Sequence, residues 1–139
     1  MDAPCLARSV DHIAIATPDI RESLQFYRQV FGVGERVAIE EVPEQKVLGC
    51  LIPLGNGARL ELIQPTDPST GVGRFVAQRG EALHHLALTV DDLPLALRRL
   101  AEQGFTLVDR EPRQGLAGRI AFLHPRSTRG VLIELVQKG

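Results

Sequence analysis

The stretch Asp11–Asp19, DHIAIATPD, sets a histidine at the head of an apolar run that ends in a Pro/Asp turn. A second stretch, His84–Asp92, HHLALTVDD, has the same shape, with His85 in the place of His12. The offset is 73 residues, and it carries along the chain. Asp11–Ile15 falls on His84–Leu88, KVLGCLI (46–52) on RIAFLHP (119–125), and GARLELI (57–63) on GVLIELV (130–136). Glu61 thereby falls on Glu134, and each half separates its histidine from its glutamate by 49 residues. Repeats are sought first because they dictate architecture. A matching frame over several segments, with both polar positions kept, is not a chance pairing.

Each half has one grammar. A strand opens it (9–16 and 83–90), a turn follows, then a helix. In PDIRESLQFYRQVFG the apolar positions Ile20, Leu24, Tyr27 and Phe31 predict one helical face, with Asp19 as N-cap and Gly32 as stop. In DDLPLALRRLAEQG the face is Leu93, Leu97 and Leu100, Gly104 ends it, and Pro94 is tolerated in the first turn. Three strand-like runs then follow in each half: 35–41, 46–53 and 58–63, then 105–110, 119–124 and 131–136. LGNG (54–57) and RSTRG (126–130) read as hairpin turns. The segment VGRFVAQRG, within the connector, reads as one or two helical turns.

The expectation is an α+β fold in a single domain spanning 1–139. It has two tandem βαβββ modules, about 8–68 and 81–138, with a connector over about 64–82. Together they form a curved, partly closed mixed sheet around a metal-binding cavity.

Composition narrows the function. Of 139 residues, 44% are hydrophobic and 24% charged, as in ordinary globular proteins. A net charge of −1 without a basic run argues against nucleic acid as a partner. No apolar stretch approaches the ~20 residues of a membrane helix. The opening residues MDAPCLARS lack the charged and apolar regions of a secretory signal, so a cytoplasmic protein is expected. Cys5 and Cys50 show no metal or redox spacing, and Cys50 reads as a buried thiol.

Strands show alternate residues to opposite faces. His12 shares its face with Ala14 and Ala16, His85 with Ala87 and Thr89, and Glu134 with Val136, while Ile13, Ile15, Leu86, Leu88, Ile133 and Leu135 take the other. A lone histidine or glutamate on a strand is ordinarily structural. Four in symmetric register are different, because a buried carboxylate without a partner is costly and a divalent cation relieves two together. Two nitrogen and two oxygen donors suit Mn, Co, Ni, Fe or Zn and leave positions open for water or substrate.

A repeated βαβββ with one His and one Glu per half resembles the vicinal oxygen chelate superfamily, which includes glyoxalase I and the extradiol dioxygenases. The finer likeness is to the methylmalonyl-CoA epimerases, and it covers Val10 to Gln137. It rests on VDHIAIATPD, PEQKV, RGEALHHLALTVDD and above all GRIAFLHPRSTRGVLIELVQ. The resemblance implies metal ligands His12, Glu61, His85 and Glu134, with cobalt or manganese as the ion. It implies an isomerase acting on an acyl-CoA through a metal-stabilised enolate, in a homodimer.

Glu134 would act as one base. Glu44, in PEQKV, is the candidate for the other; some relatives carry a glutamate five residues further on, in the next strand, where this chain has Gly49. Gln45-Lys46 also departs from the commoner Gln-Gly. His124, Ser127 and Thr128 are candidates for substrate binding. Arg113, Arg119, Arg126, Arg129 and Lys138 are available for coenzyme A phosphates, and His84 must face away from His85. The alternatives are another enzyme of the superfamily, such as a glyoxalase-type isomerase or an epimerase of a different acyl-CoA, and a non-catalytic ligand-binding relative.

Overall fold

The computed structural model describes residues 6–138. The chain divides into two compact units. One is His12–His84; the other comprises residues 85–138 together with residues 6–11. The first strand, β1 (Ala7–Ala16), therefore contributes its opening residues to one unit and its closing residues to the other.

In the first unit, β1 leads through Asp19 into helix α1 (Ile20–Phe31), followed by β2 (Glu40–Val42), β3 (Val47–Pro53), β4 (Arg59–Pro65) and helix α2 (Gly71–Arg79). Its strands run in the order β2-β3-β4-β1. The antiparallel β3–β4 hairpin closes through residues 54–58, and β1 lies parallel to β4. The second unit holds β5 (Ala82–Val90) from His85 onward, helix α3 (Leu93–Glu102), β6 (Arg113–Gly115), β7 (Gly118–Leu123) and β8 (Ile133–Gln137). Its order is β5-β8-β7-β6, with β5 parallel to β8.

The helices begin where the sequence places them, and for the same reason twice. Asp19 accepts from the N–H groups of Arg21 and Glu22, and Asp92 from Leu95. A side-chain oxygen satisfies amides that have no partner inside the helix. A second device repeats beside it: the Gln64 amide oxygen accepts from Ile20 N at 2.9 Å, and Gln137 from Leu93 N at 2.7 Å. Each glutamine sits at the end of the parallel strand, so the sheet fixes the start of its helix. Gly32 ends α1 at φ 68°, a left-handed cap that side chains resist.

Helices α1 and α3 each cover the face of their sheet that lacks the histidine, whereas α2 packs on Ala16, Val47 and Ile63 of the histidine-bearing face. Ile20 and Leu24 of α1 pack on Cys50, Ile52 and Leu62, with Ile15 beside them. Leu93, Ala96, Leu97 and Leu100 of α3 pack on Ala121, Leu123 and Leu135, with Leu88 and Ile133 beside them. Two expected core positions fall outside: Phe31 and Ile13 are exposed. Phe31 instead joins an aromatic cluster with Phe26 and Tyr27.

The outer strands differ from expectation. Residues 35–39 are not a strand, because Arg28 of α1 donates to Gly34 O at 2.8 Å and Val37 O at 2.9 Å. Those carbonyls are taken, and pairing starts only at Glu40. Residues 105–110 make one isolated bridge, Leu107 to Leu123. Val108 N and Asp109 N both donate to Phe122 O, while the Asp109 carboxylate accepts from Phe122 N at 2.9 Å. A side chain has replaced a rung of the ladder, so the edge strand forms later, at β6. The repeat also slips: Glu61 faces Leu51 but Glu134 faces Phe122, so β3 maps onto β7 with an offset of 71 residues, not 73. A slip of two preserves the face of every side chain.

Helix α2 turns on one glycine. A Cβ at Gly73 would lie 2.6 Å from Pro68 O and 2.7 Å from Asp67 O, whereas at Gly71 it meets nothing within 4 Å. Gly73→Ala is expected to destabilise by about 1–3 kcal/mol through overpacking. Gly71→Ala is expected to be neutral or stabilising by up to about 1 kcal/mol. Urea unfolding midpoints of the two variants check the contrast.

Candidate metal and catalytic centre

The two units build their polar pairs by one register. In the first, Ala14 of β1 stands opposite Glu61 of β4. In the second, Ala87 of β5 stands opposite Glu134 of β8. The histidine lies two residues before the alanine each time, on the same face and diagonal to the glutamate. His12 Nε2 is 3.5 Å from Glu61 Oε1, and His85 Nε2 is 3.5 Å from Glu134 Oε1. All four are buried, at 0%, 7%, 6% and 4% exposure in the order His12, Glu61, His85, Glu134.

That spacing is informative. It exceeds the ~2.7–3.2 Å of an N–H···O hydrogen bond. Two donors each about 2.1 Å from a shared ion, at octahedral to tetrahedral angles, stand about 3.0–3.4 Å apart. Each pair therefore fits adjacent ligands of a divalent cation better than a direct hydrogen bond. The neighbours on that face are small, with Ala14, Ala16 and Ala87 fully buried.

Around the second pair the structure adds a residue that the strand patterns did not single out. Phe122 stands opposite Glu134 and meets the His85 ring edge-on at 5.0 Å between centroids. Arg113 stacks over that phenyl ring and pairs with Asp109 at 3.1 Å. The two-residue slip between β3 and β7 hid Phe122, since the 73-residue frame put His124 in its place.

The remaining candidates are placed as follows. Asp11 is buried and forms an ion pair with Lys138 at 2.8 Å, so Lys138 supports the strand that carries His12. His84 turns to the other side and packs on Phe75 of α2 at 4.9 Å, as alternation requires. His124, Ser127 and Thr128 all lie in the β7–β8 connection. His124 Nδ1 accepts from Arg126 N, Ser127 Oγ accepts from Thr106 N, and Thr128 Oγ1 donates to Val131 O.

Glu44 is exposed in the turn between β2 and β3. That turn lies beyond the Val47–Pro65 rung, four residues along β4 from Glu61. At ~3.3 Å per residue this is more than about 13 Å, so the structure does not bring Glu44 to the His12–Glu61 pair.

Comparison with known proteins identifies the family. The model of the Glyoxalase/Bleomycin resistance protein/Dioxygenase superfamily matches residues 11–122. The chain is 34% identical over 131 residues to the mitochondrial methylmalonyl-CoA epimerase of Dictyostelium discoideum, covering 93% of this chain and 78% of that protein. The crystal structure of methylmalonyl-CoA epimerase from Mycobacterium tuberculosis matches with a TM-score of 0.91 at 35% identity, over 100% of this chain and 93% of that one. A methylmalonyl-CoA epimerase in complex with methylmalonyl-CoA and ammonium matches with a TM-score of 0.87 at 33% identity, over 97% and 96% of the two chains. The chain belongs to the Glyoxalase/Bleomycin resistance protein/Dioxygenase superfamily, and its tandem βαβββ, α+β fold is the fold of that family. Among the described residues no helix is long and apolar enough to cross a membrane.

Cys50 sits apart from this chemistry, on the helix-covered face. Cys5 lies outside the described residues. Burial pushes the Cys50 thiol from 9.0 up to about 11, against a hydrogen bond with the Leu62 backbone that pulls it down. Between those pH values the unfolded chain loses the proton first, so this group lowers stability as pH rises from about 9 to 11. In a Cys5→Ser protein, labelling by a disulfide reagent at pH 8 is expected to follow the unfolding rate rather than the reagent's intrinsic rate. A stopped-flow comparison with the denatured chain checks it.

Proposed function

We propose that this protein is a metal-dependent methylmalonyl-CoA epimerase that interconverts the 2R and 2S thioesters by moving the proton at carbon 2. The observation that carries the reading is the pair of equivalent, buried His–Glu couples at ligand spacing. Membership of a family whose relatives bear that activity supports it. In this reading His12, Glu61, His85 and Glu134 hold one divalent ion, cobalt or manganese by the family likeness. The donor chemistry of His12, Glu61 and His85 supports such a group.

The ion, when bound, supplies Lewis-acid stabilisation of the charge that develops on the thioester oxygen as the proton leaves. The chain's own residues do the rest. Glu134, beside His85, takes or returns the proton on one face of the planar enolate. Phe122 holds the His85 ring in orientation and screens it from water. Asp11 and Lys138 anchor the strand ahead of His12. His124, Ser127 and Thr128 form a stiffened loop whose remaining polar groups would meet the substrate's carboxylate or coenzyme A portion. The same reading takes the enzyme to be a cytoplasmic homodimer, on the strength of the resemblance.

Cobalt added to chelator-treated protein is expected to bind at one equivalent per chain. It should raise the unfolding free energy by about 2.7 kcal/mol when free ion is about 100 times Kd. His12→Ala and His85→Ala should each abolish that shift, as read by thermal unfolding. Carbon-2 deuterium uptake by methylmalonyl-CoA in deuterated water should need the ion and accompany inversion. A metal-loaded protein without exchange would turn the reading toward other thioester or glutathione substrates.

A further inference from the structure

Within the second unit a chain of four side chains ends on one of the two ligand imidazoles. It begins with the register of the edge strand. Arg113 of β6 pairs with Ile120 of β7. Phe122 lies two residues further along β7, on the same face as Ile120. Diagonal neighbours on a sheet are within reach of long and aromatic side chains. The Arg113 guanidinium accordingly lies over the Phe122 ring, 5.6 Å from its centroid. At such a distance a cation is drawn to the negative face of the ring.

That face of the sheet is the one that carries His85. Ile120 and Phe122 pack with Ala87 and Val136. Ala87 lies two residues after His85 on β5, so the two share a face. The Phe122 and His85 rings stand 5.0 Å apart between centroids and nearly perpendicular, at 88°. Edge-to-face pairs have a specific geometry. The phenyl ring therefore restricts the rotation of the imidazole.

Asp109 holds the other end of the chain. One of its carboxylate oxygens accepts from Phe122 N at 2.9 Å, and the other lies 3.1 Å from Arg113 Nε. Val108 N and Asp109 N both donate to Phe122 O. The backbone of Phe122 is thus fixed at its amide and at its carbonyl. The cation over its ring is set by the same carboxylate. Packing alone does not call for these groups. In the first unit the position opposite Glu61 holds Leu51, where the second unit has Phe122 opposite Glu134.

We infer that Asp109 and Arg113 are positioning residues for His85, acting through Phe122. Together they set the orientation of the imidazole before an ion binds. The inference rests on the reading of His85 as a metal ligand, and not on the identity of the substrate. A side chain already held in its bound orientation loses less freedom on binding. Partners that orient a ligand in this way contribute about 10–100-fold to metal affinity.

The test compares Arg113→Met, Asp109→Asn and Phe122→Leu with wild type, all as the full chain. Calorimetric titration of the chelator-treated proteins reads cobalt affinity. The ring-proton NMR signals of the metal-free proteins read His85. The chain has four histidines, and His85→Ala identifies the signals in question. Each of the three variants is expected to bind cobalt about tenfold more weakly, or worse. In Arg113→Met and Asp109→Asn the His85 signals should broaden or move toward those of Phe122→Leu, which has no phenyl ring to shift them. Arg113→Lys keeps a cation over the ring and should recover part of the affinity. Arg98→Met, exposed on α3, should match wild type. Unchanged cobalt affinity in Arg113→Met and Phe122→Leu would overturn the assignment. So would weaker binding that follows a loss of apoprotein stability while the His85 signals stay in place. A wild type that binds cobalt but does not exchange carbon 2 would remove the epimerase reading and leave this one to stand on the affinities and the His85 signals. A wild type that binds no cobalt would remove the metal reading, and with it the role assigned to Asp109 and Arg113.

Discussion

Everything in this molecule is arranged around the cost of taking two carboxylates and two imidazoles out of water. Glu61 and Glu134 are nearly inaccessible, and each has an imidazole at 3.5 Å. In an apolar setting a carboxylate at that depth would protonate or force the strand outward. A divalent cation reverses that preference and makes burial favourable. The parallel strand pairs, the alanines beneath the histidines and the helix cores on the opposite faces all serve one register. Shifting either parallel pair by one residue would send the ligands into the helix interface.

Much of this was legible in the sequence, for identifiable reasons. A duplicated chain doubles every weak signal, so His12 with His85 and Glu61 with Glu134 could be seen without any alignment. The helices were legible because Asp19, Asp92 and Gly32 are local signals that act within a few residues. The edge strands were not. Arg28 reaches nine residues ahead to occupy Val37 O, and Asp109 reaches thirteen ahead to Phe122 N. No periodicity reports a side chain competing for a ladder bond. The place of Glu44 was not legible for a related reason, because proximity in sequence to a strand says nothing about which end of the sheet it reaches. Phe122 was hidden by the two-residue slip between the halves.

The two halves show which constraints a duplicated fold keeps and which it releases. Both keep the N-cap aspartate, the glutamine that ties strand to helix, and the His–Glu diagonal. They diverge where nothing structural enforces likeness: Glu40 against Arg113, Gly49 against Ile120, Leu51 against Phe122. The His–Glu pairs are alike in the two halves, and the residues that flank them are not.

The divided allegiance of β1 has a consequence for how the chain is made. Its opening residues belong with residues 85–138, and Asp11 closes on Lys138, 127 positions away. Contacts of such long separation pay their loop-closure entropy late. During synthesis the first unit can assemble as soon as β4 and α2 have emerged. The strand that carries its histidine must then wait for residues 85–138 before its leading half finds its unit. The last contact to form is the one that fixes the residue beside His12, so the setting of that histidine is completed by the second half of the chain rather than by its own.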